Sequence, residues 1–134
     1  GNNIVHQQAK AMAQVVVDNI ENDVEEIWGT EVNLCAANLY AGTTDLVGIY
    51  KGKPTIMDFK QTNKPKKREW IEDYFLQGAA YGIAHNEMFD SKIQNIAIFM
   101  CSGDCEWQLF EVADEEFKHY ETLWAKRLEQ FYNL

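Results

Sequence analysis

The sequence predicts a single α/β domain spanning residues 1–134, a mixed sheet flanked by helices in three layers, in the order α-β-β-β-α-β-β-α. Three observations lead there. The stretch Tyr40–Thr62 reads as two strands about a tight turn at Lys51-Gly52. Both faces of that hairpin are apolar, as in a sheet covered on both sides. Segments of helical period stand at both chain ends and between the hairpin and a second strand pair. With 134 residues, 46% of them apolar, the chain can bury one core.

Residues about 3–22 form the first helix, because Ile4, Met12, Val16 and Ile20 recur near helical spacing without Pro or Gly. His6 lies in its first turns. The opening GNNIVHQQAK lacks the basic start and apolar block of a signal peptide, and the abrupt start suggests that upstream sequence was removed or is short. No apolar run approaches the ~20 residues that span a bilayer. Residues about 24–39 give a strand or two. The expected first sheet strand is EVNLCAANLY, beginning at Glu31, which is either a plain strand-end acid or a third acidic group near a site.

The central hairpin carries the chemistry. A two-residue turn with Gly52 at positive φ makes Tyr50 face Lys53, so paired residue numbers sum to 103. Asp45 then stands opposite Asp58. Alternation puts Asp45, Val47, Ile49, Ile56, Asp58 and Lys60 on one face, and Leu46, Tyr50, Met57 and Phe59 on the other. A G1 bulge at Gly52 would shift this pairing by one residue. Opposed carboxylates destabilise a strand pair. One of them should hold its proton above the usual carboxylate range, or a divalent cation should accept both. The bland alternative is two aspartates at solvated strand ends, with Lys60 merely pairing one of them.

After Thr62, Pro65 and the charges of NKPKKREW mark an exposed connection. A helix follows over about Glu69–Asn86, with Tyr74, Gln77, Tyr81 and Ala84 on a stripe facing the sheet. Gly78, Ala79, Ala80 and Gly82 keep that helix thin enough for close approach. Residues about 92–101 are an apolar strand, and Gly103-Asp104 turns it into a partner over about 105–112. Asp114 is the expected N-cap of a last helix whose apolar side is Phe117, Tyr120, Leu123, Trp124, Leu128 and Phe131.

Charge and cysteine usage narrow the class. The net charge of −9 argues superficially against nucleic acid, but seven of the twelve Lys and Arg lie between Lys51 and Arg68. An acidic body with one basic edge beside a carboxylate pair suits a polyanion held at a metal. A solvated loop explains KPKKR equally well. Cys35, Cys101 and Cys105 form no CxxC pair, which points to free thiols in a reducing compartment. They are too few for an iron–sulfur cluster.

In this order and on these elements, the pieces resemble the PD-(D/E)xK nuclease superfamily in its RecB-like exonuclease branch, over nearly the whole chain. Asp45 in GTTDLVG looks like the first metal aspartate, and Asp58-Phe59-Lys60 looks like the D-x-K signature. Gln77-Gly78-Ala79-Ala80-Tyr81 resembles the branch's Q-x-x-x-Y helix motif. Gly1 to His6 is similar to its opening G…vH, and Glu31 falls where the branch often has a glutamate.

The resemblance implies a restriction-endonuclease-like fold and an intracellular Mg²⁺- or Mn²⁺-dependent deoxyribonuclease of a bacterial or phage-infected cell. It implies an exonuclease acting on single strands or accessible ends. Asp45, Asp58, the Phe59 carbonyl and His6 would hold one or two ions, with no iron–sulfur cluster. Lys60 would orient or deprotonate the attacking water, Gln77 and Tyr81 would position the strand or the site's waters, and Glu31 would be a third acidic group at the site. Thr62, Lys64, Lys66, Lys67 and Arg68 would grip DNA phosphates without reading sequence. The alternatives are a structure-specific endonuclease or resolvase on this fold, a non-catalytic nucleic-acid-binding module, and an acidic interaction protein. Oligomeric state and cleavage polarity stay open.

Overall fold

The structure is a computed structural model that describes residues 2–28 and 43–133, with the side chains of Asn2 and of residues 43–45 left aside. The expected first strand from Glu31, together with Glu31 and Cys35, lies outside the described residues. The described elements are α1 (Asn2–Ile20), β1 (Val24–Trp28), β2 (Thr43–Tyr50), β3 (Lys53–Thr62), a 3-10 turn (Arg68–Trp70), α2 (Glu72–Phe89), β4 (Asn95–Ser102), β5 (Trp107–Ala113) and α3 (Glu115–Tyr132). The order α-β-β-β-α-β-β-α is the expected one. The five strands form one mixed sheet in the order β1-β2-β3-β4-β5, in which only β3 and β4 run parallel among the described pairs.

The hairpin has the expected register. Lys51 (φ 49°) and Gly52 (φ 77°) both have positive φ, as in the two-residue turn whose twist matches that of the strands it joins. Tyr50 therefore pairs with Lys53, and Asp45 pairs with Asp58. Across the sheet the strands are staggered, so that Asp58 of β3 lies beside Ile98 of β4.

Each face of the sheet buries its own cluster. On one face Val47, Ile56, Ile96, Ile98, Met100 and Val112 pack with Phe75, Leu76 and Ala79 of α2 and with Phe117 and Tyr120 of α3. On the other, Leu46, Tyr50, Met57, Ala97 and Phe99 pack with Ile20 of α1, flanked by Val16, Phe59 and Trp107. The three layers are thus α1, the sheet, and the α2–α3 pair. The division of β2 and β3 between the faces follows the alternation expected of them.

Glycines set two of the close approaches. A Cβ on Gly78 would come within 3.0 Å of the Ile96 side chain, and one on Gly82 within 3.0 Å of the Phe117 ring. Without side chains at those points, α2 settles onto β4 and α3. At Gly48 a Cβ would lie 1.9 Å from the Glu26 carbonyl oxygen, next to the bulge between Val24 and Glu26 where β1 crosses β2.

Three expectations are corrected. The stripe of α2 that meets the core runs through Phe75, Leu76, Gly78, Ala79 and Gly82, not Gln77, Tyr81 and Ala84. The larger apolar side chains and the glycines decide the helix's rotation, because they can be buried without needing hydrogen bonds. Asp114 does occupy the N-cap of α3, but its side chain makes no capping hydrogen bond; its carbonyl accepts from the Lys118 N–H at 3.1 Å. The apolar side of α3 outruns the core, leaving Phe131 70% exposed. Among the described residues no helix is long and apolar enough to cross a membrane.

Candidate active site

Asp58, Lys60 and Thr62 alternate along the β3 face that looks toward α2. Asp58 is only 3% exposed, and a carboxylate is withdrawn from water at a cost unless it is paired. Lys60 supplies a partner, with Nζ 3.3 Å from Asp58 Oδ2 and side-chain exposures of 11% and 5%. The same ammonium sits 4.5 Å from the centroid of the Tyr74 ring, at the start of α2. A cation over a ring face is attracted by the ring's quadrupole, so the ring is a second favourable contact for the ammonium. Tyr74 thus has a part in the site that a reading of helix periodicity assigned only to the stripe.

The hairpin places Asp45 in line with this pair. Tyr50 and Lys53 close the turn as a hydrogen-bonded pair, and such pairs alternate with non-hydrogen-bonded ones along an antiparallel ladder. Counting five residues back along β2 makes Asp45 and Asp58 a non-hydrogen-bonded pair, the type with Cα atoms about 4.5 Å apart. Thr44 and Phe59 form the next hydrogen-bonded pair, so the Phe59 backbone carbonyl faces Thr44 of β2, one position along the ladder from the two aspartates. Two carboxylates and a carbonyl are hard oxygen donors, the set that suits Mg²⁺ or Mn²⁺. Among the described residues, no three His, Cys, Asp or Glu side chains come together as a metal site.

The other site residues of the sequence reading are spread more widely. Gln8 donates to the Gly103 carbonyl at 2.8 Å, and the Gly103 N–H donates to the Thr62 carbonyl at 2.9 Å. Those contacts put the first half of α1 at the Thr62 end of the sheet. His6, two residues before Gln8, is exposed at that same end, while its helix meets the sheet on the face opposite Asp58. Gln77 is exposed and Tyr81 is 46% exposed, so neither lies beneath the sheet. Thr62 Oγ1 is buried and has no hydrogen-bond partner among the described residues.

The basic run is divided in its commitments. Gln108 of β5 clamps Lys66 by its backbone, accepting from the Lys66 N–H and donating to the Lys66 carbonyl, both at 2.8 Å. Arg68 donates to the Glu111 carbonyl at 2.9 Å, pairs with Glu116, and stacks with its guanidinium carbon 4.7 Å from the Phe75 ring centroid. Its side chain, though 42% exposed, is therefore engaged with β5, α3 and the Phe75 ring rather than standing as a free cation. Lys51, at the turn, pairs with Glu111 at 3.1 Å. Lys64 and Lys67 remain exposed, and Lys67 lies 5.5 Å from the ring centroid of Trp70, itself 62% exposed.

Trp70 was not among the residues singled out in the sequence. The signal available there was an indole three residues after Lys67 at the end of the charged run. Comparison with known proteins adds no assignment: the chain matches no family model, and no curated protein is significantly similar to it.

Proposed function

We propose that this chain is a metal-dependent deoxyribonuclease that hydrolyses phosphodiester bonds, most readily at single strands or accessible ends. The observation that carries the reading is the direct pairing of Asp45 with Asp58, with the Lys60 ammonium 3.3 Å from the latter's carboxylate. Asp45, Asp58 and the Phe59 carbonyl would hold Mg²⁺ or Mn²⁺, and His6 is the further ligand that the motif resemblance adds. Bound there, the ion would supply charge for the phosphate oxygens and a water of lowered pKa.

The chain's own groups do the rest. Lys60, locked between Asp58 and the Tyr74 ring, would orient the attacking water and offset charge that builds on the phosphate oxygens. Lys64 and Lys67 would hold the phosphates of the strand nearby, and Trp70 would offer an aromatic face to an unpaired base. Gln77 and Tyr81, on the outer side of α2, would meet the strand rather than the reacting phosphate. Glu31 remains a candidate third acid in this reading.

The deciding experiment incubates the protein with Mn²⁺ and end-labelled single strands, duplexes and closed circles. Short products from single strands and duplex ends, lost on Asp58→Asn, are expected. Nicked circles would instead favour an endonuclease. Intact DNA of every form would refute hydrolysis.

A further inference from the structure

Lys60 has two neighbours of different kinds. Its Nζ lies 3.3 Å from Asp58 Oδ2 and 4.5 Å from the centroid of the Tyr74 ring, with the lysine side chain only 11% exposed. The first contact depends on the charge of a carboxylate. The second does not, because a ring attracts a cation through a fixed quadrupole. Tyr74 is itself anchored away from the ammonium. Its N–H donates to the Ile71 carbonyl at 2.9 Å in the first turn of α2, and its side chain packs against the core cluster that contains Phe75 and Ile98. The helix and the core therefore set the ring's place, whatever Lys60 does.

The two contacts fare differently once Asp58 takes up a cation, as in the nuclease reading on which this inference rests. The carboxylate's charge is then shared with the ion, and the ion and the ammonium repel each other. A lysine ammonium rides on a flexible four-carbon stem, so it would swing away without another partner. The Tyr74 ring carries no net charge for the ion to cancel. We propose that Tyr74 is a positioning residue, whose ring keeps the Lys60 ammonium at the site after Asp58 has engaged a divalent ion. Tyr74 acts through Lys60, not on the phosphate, and the ring rather than the hydroxyl does the holding. Phenylalanine should therefore replace it, and leucine should not.

The ε-methylene protons of Lys60 report the contact directly, since protons held over a ring face resonate upfield. The parent protein is followed by NMR through a titration with Mg²⁺, and DNA cleavage is measured for the parent, Tyr74→Phe and Tyr74→Leu. The upfield shift is expected in the metal-free parent and should persist at Mg²⁺ saturation. Tyr74→Phe should keep both the shift and the parent kcat. Tyr74→Leu should lose the shift and lower kcat about 10–10²-fold, with the KM for DNA unchanged. A shift that vanishes on Mg²⁺ saturation while the parent still cleaves would overturn the role of Tyr74 alone. So would a folded Tyr74→Leu protein with the parent kcat, or a Tyr74→Phe protein as slow as Tyr74→Leu. If Tyr74→Leu does not fold, the titration of the parent decides by itself. A parent that neither responds to Mg²⁺ nor cleaves DNA would instead overturn the nuclease reading, and this inference with it.

Discussion

Lys60 Nζ stands 3.3 Å from Asp58 Oδ2, and both side chains are almost withdrawn from solvent. Removing the ammonium deletes one ion pair of a buried carboxylate. Lys60→Ala should therefore cost about 1–3 kcal/mol in urea unfolding of the metal-free protein. It should also lower Mn²⁺-dependent cleavage by about 10²-fold or more, with DNA retention on filters largely unchanged. Cleavage at the parent rate would remove Lys60 from the reaction.

The proposed ion at Asp45 and Asp58 predicts a coupling between metal binding and folding. Mn²⁺ at about 100 times its dissociation constant should add roughly 2.7 kcal/mol of stability, read as a rise in thermal midpoint. Asp58→Asn should abolish that rise. His6→Ala should weaken the metal dependence, if the exposed end of α1 supplies a ligand as the motif resemblance implies. A metal response identical in all three proteins would place the ion elsewhere.

The basic run separates into two kinds of residue, and mutation should divide them. Lys64→Ala and Lys67→Ala should each reduce the salt dependence of DNA binding by about one unit of slope while leaving the fold unchanged. Arg68→Ala should act mainly on stability, by about 1–2 kcal/mol, because it removes a bond to a backbone carbonyl and the packing on Phe75. Equal effects of all three on DNA binding alone would contradict this division.

High pH should loosen the domain. Burial pushes Tyr120 and Tyr50 up from their ordinary value of 10.0, and it pushes Cys101 up from 9.0. Groups raised in the folded state bind more protons there than when unfolded, so their contribution is complete below the unfolded values and is lost as pH rises past them. Stability should fall from about pH 9 upward. Tyr120→Phe should flatten the part of that fall above about pH 10, as measured by urea unfolding at a series of pH values.

Glycine contacts give a graded stability series. Gly78→Ala presses a methyl group on the Ile96 side chain, which can shift slightly, so a loss of about 1–3 kcal/mol is expected. Gly48→Ala meets the Glu26 backbone oxygen, which cannot, and should be the more damaging of the two in denaturant titrations.

The hairpin was legible because its information is local. A Lys-Gly turn of two residues fixes the pairing of everything behind it, and the alternation of Val47 and Ile56 with Leu46 and Met57 then assigns the faces. The rotation of α2 was not, since Tyr74 and Phe75 are equally plausible inward residues until Lys60 and Phe117 are placed against them. The fate of Arg68 was hidden for the same reason. Its partners Glu111 and Glu116 stand more than forty positions away, and no periodic pattern connects them. The early strand Val24–Trp28 was anticipated only as a region, because Glu25 and Glu26 interrupt its apolar alternation.

The double bond from Gln108 to the backbone of Lys66 has a colloidal consequence. β5 is the outermost strand on its side of the described sheet, and such a border recruits foreign strands when its amide and carbonyl groups stand open. The tethered residues Lys66 and Arg68, charged and fastened alongside it, act as a bumper against that recruitment. Cutting the tether with Gln108→Ala should leave a protein that still folds but grows turbid on concentration.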